Sequence, residues 1–339
     1  MKKAVRILLP FIITALALWF VFKDVELSAL GDRLKNAQLL PVLPPFLLCV
    51  AIHLFFRTLR WRYLLPTSPQ GSKASMRQLF DSMMLGNLAT FIFPFRLGEF
   101  IRPLILSRWT SYSFPTAFVS VVLERFFDLA TVLLSFAWII STREVDPTIM
   151  KGAMTLATIS GGLLVFLVMA CLCPQFTQDT VSFVSRFLPE KLRHFVDHFT
   201  KDLIRGASVV KTPSRLLMVL LLTAGTWIFA WLQFYVMLYI FPWERSLEVS
   251  VGIGVIVALL IAAPSVPGFF GPFQAGCVAA FELFGYQDHA DMTAYSLMVH
   301  LLTYVLIISI GFWLLRKHDL KLFDLKNAAA QGQESAAHL

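Results

Sequence analysis

The stretch Pro94-Phe-Arg-Leu-Gly-Glu-Phe-Ile-Arg102 decides the fold, because it interrupts an apolar segment that otherwise runs from about residue 78 to about residue 107. Proline disrupts a helix, and Arg96, Glu99 and Arg102 place three charges close to the break. Each arm beside the break is shorter than the about 20 apolar residues that a membrane-spanning helix needs. We therefore predict a broken or re-entrant hairpin of two half-helices here.

A second hairpin of the same kind is predicted later in the chain, over residues 249–284. Its break reads Pro264-Ser-Val-Pro-Gly268. Broken backbone at membrane depth frees N–H groups, which can point at an anion as the start of a helix does. The residues expected to shape the backbone of such a site are Pro94 and Gly98 in the first hairpin and Pro264, Pro267, Gly268, Gly271 and Gln274 in the second.

The composition around these hairpins is that of a membrane protein. Of 339 residues, 57% are hydrophobic and only 15% are charged, whereas a soluble domain carries about 25% charged residues. Six further segments are long and apolar enough to span a membrane: 5–22, 39–56, 115–141, 152–173, 215–241 and 292–315. The predicted fold is thus an all-α polytopic membrane protein with six full spans plus two broken or re-entrant hairpins, about eight membrane segments in total.

Basic residues indicate the orientation, because Lys and Arg collect on the cytoplasmic side of a membrane. Most of them flank the predicted spans on one side, so we expect both termini to be cytoplasmic and the protein to lie in the inner membrane. An amphipathic helix is predicted on the cytoplasmic surface over about 176–210, and the tail at 321–339 is expected to be disordered. The net charge of +8 matches anionic lipid and does not indicate nucleic acid.

One basic cluster lies at the predicted cytoplasmic end of the second span. Arg57, Arg60, Trp61 and Arg62 are expected to anchor it, their long side chains reaching out to the lipid headgroups. A second interpretation is that they guide a lipid phosphate toward a site in the membrane.

The two halves of the chain share one pattern. Residues 1–145 and 146–320 each predict two spans, a broken hairpin and a final span, and the halves begin on opposite sides of the membrane. Paired broken segments in inverted halves are the best sequence indication of a transporter's binding site. The alternative is that proline and glycine merely kink packed helices.

Six charged residues lie within apolar segments, and each would cost about 2.5–3.5 kcal/mol at the bilayer centre. Three are positive and three negative, so the set can be a self-neutralised structural network. It can equally be a site where a phosphate competes for the arginines. Asn87, in the first arm of the first hairpin, is expected to join it. The candidate substrate-binding residues are Asn87, Arg96, Glu99, Arg102, Glu124, Arg125 and Asp128.

These motifs together resemble the lysylphosphatidylglycerol synthase transmembrane family, the flippase-like region also found in bacterial multiple peptide resistance factors. The motifs are Pro94-Phe-Arg-Leu-Gly-Glu99 with Asn87 and Arg102, Glu124-Arg-Phe-Phe-Asp128, and Pro264-Ser-Val-Pro-Gly-Phe-Phe-Gly271 with Gln274. The resemblance covers about residues 1–320 and implies translocation of lipids across the bilayer. The chain departs from the family pattern in two ways. Many members carry Glu at the position of Gln274. Fused members carry a soluble aminoacyl-transferase domain after the membrane region, and in this respect the chain resembles a stand-alone member.

The leading hypothesis is a lipid translocase that moves a phospholipid or a polyprenyl-phosphate-linked lipid between leaflets. Its expected partners are membrane lipids, anionic or phosphate-bearing, and a lipid-synthesising enzyme is a further candidate. Two alternatives remain: a membrane-embedded transferase with Glu124 or Asp128 as base, and a non-transporting partner of such an enzyme. We expect no enzyme activity, no cofactor and no metal, because the sequence shows no metal-ligand cluster and no nucleophile–base pair.

Overall fold

In a computed structural model, the described residues are 2–66, 73–93, 96–142, 173–187, 212–243, 245–262, 267–323 and 325, with scattered positions between 154 and 201. Within them the chain forms α-helices joined by short turns. The helices are α1 (Lys2–Phe22), α2 (Leu27–Asn36), α3 (Leu39–Leu64), α4 (Met76–Ile92), α5 (Gly98–Trp109), α6 (Phe114–Thr142), α7 (Pro174–Ser185), α8 (Pro213–Met237), α9 (Leu247–Ile261), α10 (Pro272–Leu283) and α11 (His289–Lys317). Short 3-10 turns at Leu238–Ile240 and Pro267–Phe269 follow α8 and precede α10.

In the part of the chain that the structure describes, three helices are long and apolar enough to cross a membrane: α3, α8 and α11. Shorter apolar helical segments lie at Phe11–Phe22 and in α9. Helix α6 has 29 residues, which is enough for a span, but it carries the charged residues of the Glu124 motif near its middle. Large apolar side chains point outward from several helices, among them Trp19, Leu134 and Trp313. The structure is thus all-helical over the described residues and fits a polytopic membrane protein.

The helix bounds follow the predicted spans closely, with two differences. The predicted span 39–56 continues as α3 to Leu64, because Arg57, Arg60 and Trp61 pack inside the protein instead of ending the helix. The predicted loop 23–38 contains the short helix α2. The predicted span 152–173 lies mostly outside the described residues.

Both broken hairpins form pairs of short helices. Helix α4 begins with a capping box, in which Ser75 and Gln78 satisfy each other's backbone N–H groups. It packs tightly against α5: a Cβ on Gly98 would overlap the Gly86 carbonyl oxygen and the Thr90 hydroxyl. The second hairpin turns through Gly268 (φ 76°) and Gly271 (φ 92°), left-handed conformations that favour glycine. Glycine thus permits the close approach in one hairpin and the turn in the other.

Helix contacts recur in matched pairs between the two halves of the chain. The first arm of each hairpin packs against the last long helix of the other half, α4 against α11 and α9 against α6. The second arms pack against the last helix of their own half, α5 against α6 and α10 against α11. Helix α3 corresponds to the second predicted span of the first half, and helix α8 to that of the second half. These two helices pack along each other.

The predicted amphipathic helix is described only in its first part. Helix α7 runs from Pro174 to Ser185 and a turn follows at Arg186 and Phe187. Most of the remainder up to 210, and the tail beyond residue 325, lie outside the described residues.

Candidate functional site

Glu124, on α6, is the centre of a buried charged cluster. Its side chain has no solvent-exposed surface. Arg102, on α5, donates to both carboxylate oxygens, Nη2 to Oε2 at 2.5 Å and Nη1 to Oε1 at 3.1 Å. Arg102 also lies over the ring of Trp61 at 3.8 Å, and Trp61 Nε1 donates to the Ser120 hydroxyl at 2.8 Å. The ion pair is therefore held in place by aromatic packing and a further hydrogen bond.

Two arginines of α3 reach the same carboxylate. Arg57 Nε donates to Glu124 Oε1 at 3.1 Å, and Arg60 Nη2 lies 3.5 Å from that oxygen. Arg60 is fully buried and donates through Nη1 to Asp128 Oδ1 at 2.8 Å. The prediction that these side chains anchor the helix at the lipid headgroups is therefore wrong for Arg57 and Arg60. Both side chains are instead paired with carboxylates on another helix, α6.

Asp128 and Arg125 form the outer part of the cluster. Asp128 Oδ1 also accepts a hydrogen bond from Trp227 Nε1 of α8 at 3.2 Å. Arg125 contacts both acids of its own helix, at 2.7 Å from Glu124 and 3.3 Å from Asp128. Its Nε lies 3.8 Å from Glu99 Oε1 of α5. Of the helices described, four thus meet at the cluster: α3, α5, α6 and α8.

Three members of the cluster, on α3, α5 and α6, lie at similar distances from the ends of their helices. Counted at about 1.5 Å per residue, Arg57, Arg102 and Glu124 each lie about 10–15 Å from the helix end predicted to be cytoplasmic. The charges are therefore placed well inside the apolar part of the bundle, on its predicted cytoplasmic side.

The charges of the cluster do not cancel. Among the described residues, the cluster joins four arginines to three acids through ion pairs: Arg57, Arg60, Arg102 and Arg125 with Glu99, Glu124 and Asp128. Four cations against three anions leave one positive charge. The balance of three against three expected from the sequence is wrong, because it omitted the two arginines of α3 and included Arg96.

One edge of the cluster is open. The Arg125 side chain is 40% exposed and that of Glu99 is 28% exposed, whereas the Glu124 side chain is fully buried. Several guanidinium donors are also unused: among the described residues, none accepts a hydrogen bond from the buried Nε atoms of Arg60, Arg102 and Arg125. Buried donors without acceptors are unfavourable. A net positive cluster with unused donors and an accessible edge can accept an anion.

Arg96 lies apart from these ion pairs and joins the two hairpins. It adopts a left-handed backbone conformation (φ 52°) at the tip of the first hairpin. Its Nη2 donates to the carbonyl oxygen of Ile261, the last residue of α9, at 2.5 Å. Its guanidinium group also lies 5.2 Å from the centre of the Phe269 ring. The tips of the two hairpins therefore contact each other.

Gln274 stabilises the backbone after the second break, as its position predicts. It is 1% exposed. Its Oε1 accepts a hydrogen bond from the Gly271 N–H at 2.8 Å, at the start of α10. Its Nε2 lies 2.8 Å from His300 Nδ1 of α11, so one amide ties the hairpin to the last long helix.

The remaining predicted site residues contribute less directly. The Asn87 side chain contacts Met84 Sδ, in its own helix, at 3.8 Å, and this contact does not reach the charged cluster. Pro267 and Gly268 form the 3-10 turn before α10. Pro94 and Pro264 lie outside the described residues.

Sequence reasoning missed Arg57 and Arg60 as members of the cluster. A signal was available: no proline or glycine stands between Phe46 and Leu65, so the helix had no reason to end before the arginines. The two residues are also three apart, which places them on one helix face. What the sequence did not show was that this face meets α6.

Comparison with known proteins identifies one relationship. The family model described as lysylphosphatidylglycerol synthase TM region matches residues 7–311, which include both hairpins and the charged cluster. No curated protein and no solved structure matches the chain.

Proposed function

The chain belongs to the lysylphosphatidylglycerol synthase TM region family, and from this we propose that it translocates a phosphate-bearing lipid between the leaflets of the membrane. Membership makes it a membrane protein connected with lipid handling. The proposal adds two things to this: the activity is translocation, and its site is the charged cluster around Glu124.

The matched helix contacts support an inverted repeat as the framework for this activity. Each hairpin packs against the last long helix of the opposite half, so a movement of one half shifts the hairpin of the other. In transporters with inverted repeats, the site lies where the two broken segments meet. Here the hairpin tips meet through Arg96 and Ile261, and the first hairpin continues into α5, whose Glu99 and Arg102 belong to the charged cluster. We propose both termini on the cytoplasmic side and residence in the inner membrane.

The observation that carries the proposal is the excess positive charge beside an open edge. A lipid phosphate brings a negative charge and several acceptor oxygens. At the exposed Arg125 side chain it would compete with Glu124 and Asp128 for guanidinium donors. Charge-assisted hydrogen bonds of this kind are stronger than neutral ones. The headgroup would then move through a polar environment while the acyl chains stay in the bilayer.

The two alternative functions, a transferase and a partner of a lipid-synthesising enzyme, place different requirements on the charged cluster. A transferase would need Glu124 or Asp128 as a base, and both carboxylates already accept hydrogen bonds from arginine or tryptophan side chains. A partner of a lipid-synthesising enzyme would not need the open edge. The geometry therefore favours translocation over both.

The test is leaflet exchange by the purified full-length chain in liposomes. Fluorescent phosphatidylglycerol is added, and dithionite bleaches the label in the outer leaflet, so the rate of further bleaching reports exchange. We expect Arg125→Gln to reduce exchange at least tenfold and Arg125→Lys to retain part of it. Arg186→Gln, an exposed arginine on α7's C-terminal side, is the matched control and should leave the rate unchanged.

Folded Arg125→Gln protein that exchanges lipid at the wild-type rate would reject the site. Wild-type protein that shows no exchange but forms a product from a lipid acceptor and an activated donor would establish the transferase. A stable complex with a lipid-synthesising enzyme, again without exchange, would establish the partner role.

A further inference from the structure

A second polar cluster lies where the ends of α4, α5 and α11 meet, on the face predicted to be cytoplasmic. Its centre is Asp81 on α4, which is 3% exposed. Lys317 Nζ lies 2.7 Å and His318 Nε2 2.8 Å from Asp81 Oδ2. These contacts fasten the start of the first hairpin to the end of the last long helix.

Next to Asp81 is a surface cavity of about 270 Å³, lined by Arg77, Gln78, Asp81, Trp109 and His318. Its aromatic wall is built from Trp109 and His318, whose ring centres are 4.4 Å apart. Gln78 Nε2 donates to the Trp109 carbonyl oxygen at 3.0 Å and fixes that wall to α4. The walls of the cavity are thus held by contacts among three helices.

The cavity has a surplus of positive charge. Asp81 is already matched by Lys317 at 2.7 Å. Arg77 comes no closer to Asp81 than 3.9 Å, and its side chain is 74% exposed. The same helix ends carry Arg108 and Arg316, with Asp319 as the further acid. An anion entering the cavity would therefore meet Arg77 with little repulsion from Asp81.

We propose that this cavity, which we call the α4–α11 pocket, binds the phosphate of an anionic headgroup. Tryptophan with basic residues at a helix end is typical of the membrane–water interface, where anionic headgroups lie. The pocket is also at the base of the helix that carries Arg102, about 10 Å along α5 at its rise per residue. The same phosphate chemistry is offered by a lipid and by a soluble phosphate ester. Binding of a phosphate in this pocket does not require that the protein translocates lipid.

The experiment locates the bound headgroup directly. Phosphatidylglycerol with a photoreactive diazirine on its headgroup is incorporated into phosphatidylcholine nanodiscs that hold the full-length protein. After illumination and digestion, cross-links are mapped to peptides. We expect cross-links in the peptides around residues 73–81 and 316–322. Arg77→Gln should reduce them about fivefold, because one basic residue near a membrane contributes about 1 kcal/mol of attraction to anionic lipid.

Arg186→Gln is the matched control, since it removes an exposed arginine outside the pocket, and it should leave these cross-links unchanged. Competition identifies the source of the phosphate: displacement by millimolar inorganic phosphate shows that the pocket also takes a soluble ion, and displacement by dioctanoyl phosphatidylglycerol alone shows a lipid site. Displacement by dioctanoylglycerol, which has no phosphate, would overturn the proposal. So would Arg77→Gln cross-linking like the wild type. Because cross-linking does not require transport, its failure leaves the proposed translocation standing.

Discussion

Replacing Glu124 by glutamine removes the negative charge that four arginines share. Glu124 is fully buried and lies within 2.5–3.5 Å of Arg57, Arg60, Arg102 and Arg125. A single ion pair at about 4 Å has a gross attraction of about 4 kcal/mol at an effective dielectric constant of 20, and desolvation and arginine–arginine repulsion offset much of the sum. Removing one partner of a buried ion pair costs about 3–5 kcal/mol, and we expect Glu124→Gln to lose at least that much stability.

Glu99→Gln is the matched control, because it is the same substitution in the same cluster. Among the described residues, the Glu99 side chain makes one ion pair, with Arg125 at 3.8 Å, and it is 28% exposed. The variant should therefore lose less than about 1 kcal/mol of stability. The assay is the free energy of unfolding of the full chain in mixed micelles, followed by far-ultraviolet circular dichroism as denaturing detergent is added. Equal losses for the two variants would refute the reasoning that Glu124 holds the cluster together.

A double variant adds a second check on the same reasoning. Arg102→Gln combined with Glu124→Gln removes one charge of each sign, so the net charge of the cluster returns to that of the wild type. We expect the loss of the double variant to be smaller than the sum of the two single losses by at least about 1 kcal/mol, as for residues in direct contact. Additive losses would show that the two side chains do not interact.

Three further substitutions test the hairpins, each read from the same unfolding assay. Gly98→Ala should destabilise the protein by about 1–3 kcal/mol, because the added Cβ overlaps α4, whereas Gly31→Ala, where nothing lies within 4 Å, should be neutral or stabilising. Gln274→Leu should cost about 1–3 kcal/mol, since it leaves a buried N–H without an acceptor, while Gln233→Leu, whose amide bonds within its own helix, should cost less. Arg96→Ala should be less stable than Arg96→Gly by about 1 kcal/mol, because only glycine adopts the left-handed conformation without strain.

The membrane helices and the hairpins could be predicted because their signals are local. Helix α11 runs from His289 to Lys317 where 292–315 was predicted, and both arms of each hairpin lie beside the predicted proline and glycine breaks. Apolar length and helix-breaking residues can be counted along the chain. The short helix α2 was missed because its ten residues are amphipathic, too few and too polar for a span, and include Gly31.

The charged cluster could be predicted only in part. Glu124, Arg125 and Asp128 stand out because charges are rare in apolar helices. Arg57 and Arg60 were assigned to the headgroup region, because charge near the end of a span favours that interpretation when no partner is visible. Their partner Glu124 follows Arg57 by 67 residues and Arg60 by 64, and only the packing of α3 against α6 reveals it.

This separation has a consequence for how the protein enters the membrane. The ribosome makes Arg57 and Arg60 long before Glu124 exists, and at about 5–20 residues per second the delay is roughly 3–13 seconds. During that interval the arginines lack Glu124 as a counter-ion, so we expect the newly made α3 to keep its basic end at the water-facing surface. On this reasoning, α3 reaches its final position only after α6 has been made. The order of synthesis thus makes the packing of α3 depend on α6.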